Sequence, residues 1–117
     1  MSRGPAAIVV AALLLVAVPV AAHSLLLDSS PPAGGTLTGA GRLTLRFNNR
    51  VEKRLSGIRL VDGRGVGHVL TVTEEGRRDE LTAVAPALPA GAYRAEWRVL
   101  STDGHVVSGS FQLRIAP

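Results

Sequence analysis

At 117 residues, with 13 Lys and Arg against 9 Asp and Glu and no cysteine, the sequence has room for one small domain and none for thiolate ligands, thiol nucleophiles or disulfides. Setting aside Arg3, the only charge in the first 22 residues, leaves 12 basic against 9 acidic groups. That excess is mild. The basic residues Arg50, Lys53, Arg54, Arg77 and Arg78 are interleaved with acids and have no stacking aromatics nearby, which argues against a nucleic-acid partner.

The N-terminus reads as an export signal: Arg3 supplies the positive start, Ala6 to Val20 is an apolar run, and Val20-Ala21-Ala22 suits signal-peptidase cleavage after Ala22. The run is shorter than the roughly 20 residues of a membrane span and contains Pro19, so a retained anchor is the weaker reading. Residues 1–22 are therefore expected to be removed, leaving a mature domain of residues 23–117 that begins at His23. With no disulfide to brace it, that domain has to stand on its apolar core.

Period-two alternation dominates the remainder, and no apolar spacing of three and four persists long enough for a helix. Leu43, Leu45 and Phe47 alternate with Thr44 and Arg46, then Ile58 and Leu60 with Arg59. A third strand is expected from His68 to Thr73 and a fourth from Glu80 to Val84. Tyr93, Ala95, Trp97 and Val99 form the clearest alternation, and Phe111, Leu113 and Ile115 close the series; Trp97 is expected to pack on Phe111 or Leu113. Turn chemistry separates these runs at Pro31-Pro32-Ala33-Gly34-Gly35, Asp62-Gly63-Arg64-Gly65, Glu75-Gly76-Arg77 and Pro89-Ala90-Gly91. About seven short strands at this spacing imply an all-β, Greek-key β-sandwich or barrel.

Of the three histidines, two stand in unusual places. At a new N-terminus, His23 would offer an imidazole and a free α-amine that together chelate one metal ion; equally, some residue has to come first. Asp103 and His105 flank Gly104, and residues two apart in extended chain project to one side about 6.6 to 6.8 Å apart, so both side chains can reach one ion. An Asp-Gly turn beside an exposed histidine has the same letters. Taken together, an amine, two imidazoles and a carboxylate form a sulfur-free set suited to tetragonal Cu(II). The sole methionine, Met1, would leave with the signal, which removes a thioether Cu(I) site. His68, with no other His, Cys or Met nearby, reads as a surface residue.

The motifs beginning Ala22-His23-Ser24 and Ser29-Ser30-Pro31-Pro32-Ala33-Gly34, and above all Trp97-Arg98-Val99-Leu100-Ser101-Thr102-Asp103-Gly104-His105-Val106-Val107-Ser108-Gly109-Ser110-Phe111, resemble the CopC family of periplasmic copper-binding proteins. The resemblance runs over the whole mature chain. It implies a cupredoxin-like or immunoglobulin-like barrel holding one Cu(II) ion through His23, Asp103 and His105, without catalysis. Where some members bring a glutamate toward the metal, this sequence has Asn49, so water, Asn49 or Glu52 is left for a fourth position. The family also implies a CopD-like inner-membrane copper transporter as partner. Two rivals are a metal-free immunoglobulin-like interaction module and, less well supported by so few aromatics, a small oxidative copper enzyme.

Overall fold

The computed structural model describes residues 25–38 and 40–117. The expected signal peptide, its cleavage site and His23 lie outside the described residues. Among these, nine strands and one short 3-10 turn, Lys53–Leu55, account for the regular structure, and no helix is long and apolar enough to cross a membrane. The strands are β1 Leu26–Ser30, β2 Thr36–Thr38, β3 Arg42–Phe47, β4 Gly57–Val61, β5 Gly67–Val69, β6 Thr71–Thr73, β7 Glu80–Val84, β8 Gly91–Leu100 and β9 Val106–Ala116.

They form two sheets, one ordered β1-β3-β7-β6 and the other β2-β9-β8-β4-β5. All pairings are antiparallel except that of β2 with β9. The expected all-β sandwich is therefore present, with two short strands, β1 and β2, that alternation did not signal. The expected strand from His68 to Thr73 is in fact two: β5 pairs with β4 in one sheet, β6 with β7 in the other, and Leu70 alone carries the chain across. Leu70 is buried, and its N–H donates to the Ile58 carbonyl, so the crossing point is itself part of the core.

The core is what alternation leads one to expect. Leu43, Leu45 and Phe47 of β3 face Tyr93, Ala95, Trp97 and Val99 of β8 between the sheets, and the intervening residues face outward. Trp97 packs differently from expectation. In register it lies opposite Gly109, while Ala95 takes Phe111 and Tyr93 takes Leu113. Its aromatic partner is Phe47 of the other sheet, edge to face at 5.3 Å between ring centres. The reason is volume: a Cβ on Gly109 would sit 2.4 Å from Trp97 Cζ2, so the indole occupies the space that a side chain at 109 would fill. Trp97 Nε1 is buried without a hydrogen-bond partner among the described residues.

Candidate metal centre

Strands β8 and β9 form a long hairpin, and Ser101 to His105 is its connection at one end of the five-stranded sheet. Gly104 has φ +93°, a conformation that L side chains adopt rarely, and its N–H closes a turn onto the Ser101 carbonyl at 2.9 Å. Ser101 N–H donates to the His105 carbonyl at 2.9 Å, so the turn is pinned at both ends.

This turn brings the Asp103 and His105 side chains together. Asp103 Oδ1 lies 3.1 Å from His105 Nδ1 and accepts the His105 backbone N–H at 3.2 Å. The buried Ser101 hydroxyl also donates to Oδ1. Chiefly through that hydroxyl, and then through His105, the Asp103 carboxyl is held below the usual carboxylate range, against the opposing effect of partial burial. It is therefore an anion at neutral pH. With Oδ1 taking these contacts, Oδ2 carries the lone pairs available to an ion, and both side chains remain solvent-accessible, at 34% for Asp103 and 50% for His105. Ser101 was not singled out from sequence; its signal is a serine at the strand end, two residues before an aspartate, where a hydroxyl bonds locally.

The segment after β3 borders the same end of the sandwich. Asn48 exchanges two hydrogen bonds with Leu25, the Leu25 N–H donating to its side-chain oxygen at 2.6 Å and its own N–H donating to the Leu25 carbonyl at 3.0 Å. Two residues later the Arg50 carbonyl accepts the Thr102 N–H at 3.0 Å, Val51 bridges to Ser101, and Glu52 N–H donates to the Leu100 carbonyl. The 48–52 segment thus joins the first described residue to the Asp103–His105 turn. Neither Asn49 nor Glu52 forms a side-chain hydrogen bond to that turn among the described residues. The Asn49 side-chain oxygen accepts the Arg50 N–H at 2.9 Å, and Glu52 is exposed at the start of the 3-10 turn.

His68 is not the simple surface residue expected. It is half-buried, with Nε2 3.1 Å from Asp62 Oδ2 and its ring edge-on to Tyr93 at 6.3 Å. The expected Asp62-Gly63-Arg64-Gly65 turn makes this pair, because Asp62 folds back to accept the Arg64 and Val66 N–H groups and fixes its carboxylate beside β5. Hydrogen bonding to His68, reinforced by the Val66 N–H, lowers the Asp62 pKa to about 2.

Comparison with known proteins is consistent with this architecture. A family model described as the CopC domain matches residues 26–116. The sequence is 29% identical to copper resistance protein C of Pseudomonas syringae pv. tomato over 113 residues, covering 90% of each chain. It is 33% identical over 93 residues to copper transport protein CutJ of Bacillus subtilis, covering 75% of this chain but 17% of that longer protein. The crystal structure of CopC from Methylosinus trichosporium OB3b superposes with a TM-score of 0.70 at 34% identity, covering 81% of this chain and 95% of that one. The methionine-rich PcoC of Escherichia coli shares the fold, with a TM-score of 0.67 at 24% identity.

Proposed function

The chain belongs to the CopC family, and from that premise we propose that it is an exported, periplasmic protein that binds one Cu(II) ion through His23, Asp103 and His105 and passes it to a membrane copper transporter. The family is one of copper-binding resistance proteins and not of enzymes, which sets aside the oxidative-enzyme and metal-free readings. The observation that carries the ligand set is the joining of Leu25 to the Asp103–His105 turn through the 48–52 segment. Two residues of extended chain reach about 7 Å, so a chain beginning at His23 starts within a short reach of Leu25. The donors are nitrogen and oxygen only, with no thioether in a mature chain, and this favours Cu(II) over Cu(I). Delivery is supported by CutJ, a much longer copper transport protein of which the match covers only a segment.

The test uses the protein recovered from the periplasm, whose intact mass reports both the N-terminus and the copper stoichiometry. A mass beginning at His23 with one added Cu(II) is expected. A form with one extra residue before His23 should bind Cu(II) far more weakly, because the amine chelate is lost while every side chain stays. Equal affinity of the two forms would exclude the amine as a ligand.

A further inference from the structure

The outward face of the five-stranded sheet has a charge pattern that neither the core nor the metal centre uses. Alternation along β4, β8 and β9 sends Arg59, Arg94, Arg98 and Arg114 to this face with a single carboxylate, Glu96. Both Glu96 oxygens are taken, Oε1 by Arg59 at 2.7 Å and Oε2 by Arg94 at 2.7 Å. Arg98 and Arg114 have no ion-pair partner among the described residues. Between Arg59 and Arg98 the face is recessed, with Arg54, paired to Glu74 at 2.8 Å, also lining the recess. Gly57, Ser108 and Ser110 floor a groove of about 730 Å³, walled by Leu55 and Val69, which are 64% and 78% exposed. The groove lies at the end of the sheet that holds the Asp103–His105 turn: Arg98 opposes both Gly57 and Ser108, two residues before Leu100.

We propose that this face docks an acidic protein surface, with a carboxylate-bearing ridge entering the groove between Leu55 and Val69. Charge complementarity selects the partner. A second copy meeting this face symmetrically would set arginine against arginine. An anionic membrane is matched by a convex basic surface, whereas here the face is recessed between its walls and every basic residue is an arginine, whose planar fork suits carboxylates bidentately. Arginines beside exposed aliphatic walls, desolvated once a partner covers them, are also the chemistry on which protein interfaces concentrate their binding energy. The inference does not rest on copper and is testable on the metal-free protein.

The experiment follows backbone amide shifts of the apo protein titrated with a synthetic Glu/Leu copolymer peptide, and in parallel with phosphatidylglycerol vesicles. Saturable shifts confined to Gly57, Val69, Arg98, Ser108 and Ser110, with at least a tenfold rise in Kd on Arg98→Glu and weakening with added salt, are the expected result. Thermal melting of Arg98→Glu, an exposed site, establishes that its fold is retained. Shifts spread over all arginines, an unchanged Kd in Arg98→Glu, or equally tight binding of the vesicles through the same residues would overturn the proposal.

Discussion

Replacing Trp97 by phenylalanine and by alanine separates the two terms that its burial combines. A tryptophan removes roughly 150 to 250 Å² from water, and at about 25 cal/mol per Å² this is worth about 4 to 6 kcal/mol. Against that stands the indole N–H, buried without a partner, a deficit of about 1 to 3 kcal/mol. Trp97→Ala loses the first and relieves the second, while leaving a cavity beside Phe47 and Gly109; the expected net cost is about 3 to 5 kcal/mol. A domain of this size has only about 5 to 14 kcal/mol in total, so the alanine variant should be close to unfolding at moderate temperature. Trp97→Phe keeps one ring against Phe47, loses part of the apolar area and removes the orphan donor, so its cost should stay within about 1.5 kcal/mol. Urea unfolding followed by far-ultraviolet circular dichroism, with an unchanged m-value across the three proteins, measures both. If phenylalanine proves as costly as alanine, the indole N–H is satisfied in solution and the reasoning fails.

Other substitutions probe the metal centre and the sheet packing. Asp103→Ala and His105→Ala should each lower Cu(II) affinity by about 2 to 5 kcal/mol in a competition titration; the apo melting temperature should be nearly unchanged for His105→Ala, whose side chain is half exposed, and lowered for Asp103→Ala, whose carboxylate accepts the buried Ser101 hydroxyl; His68→Ala should leave copper affinity as it is. For Asp62, whose folded pKa is lowered to about 2 from 3.8, the stabilisation is present above about pH 4 and lost as pH falls toward 2. The wild-type melting temperature should therefore drop more steeply over that window than that of Asp62→Asn, and parallel curves would exclude the His68 pairing as its source. Gly109→Ala should cost about 1 to 3 kcal/mol by overpacking, since its Cβ would lie 2.4 Å from the Trp97 ring, and much less in a Trp97→Phe background.

Strands that present one face to the core were legible because their letters alternate: β3, β4 and β8 stand where period two places them, as does the buried second half of β9, while β7 stands at its expected Glu80–Val84 with Leu81, Thr82 and Ala83 all buried. β1 was not legible, since Leu27 within it and Leu25 just before it are exposed and its pairing with β3 rests on backbone hydrogen bonds that carry no side-chain pattern. The break at Leu70 was hidden for a related reason. Its apolar side chain fits either one continuous strand or a crossing between sheets, and only the pairing partners distinguish them. At the candidate metal centre, the two-residue spacing around Gly104 was enough to bring Asp103 to His105. The hydroxyl that orients the carboxylate, and the long-range bonds from Asn48 and Arg50, depend on tertiary contacts that no local pattern encodes. The partner of Trp97 was misassigned because a glycine reads as an empty position, whereas here it is the space the indole fills.

The crossing at Leu70 has a bearing on how an ion gets in and out. One buried residue stitches the sheets together there, and the 48–52 segment stitches them again beside the turn, with Val51 bonded to Arg78 toward the four-stranded sheet and bridged to Ser101 toward the other. Asp103 and His105 are already solvent-accessible at the end of a sandwich stitched at both places, so no clamshell motion is needed to uncover them. At the proposed copper site, exchange would then be a surface event in which an incoming donor displaces the bound ones one at a time, its rate set by how closely that donor can approach the rim.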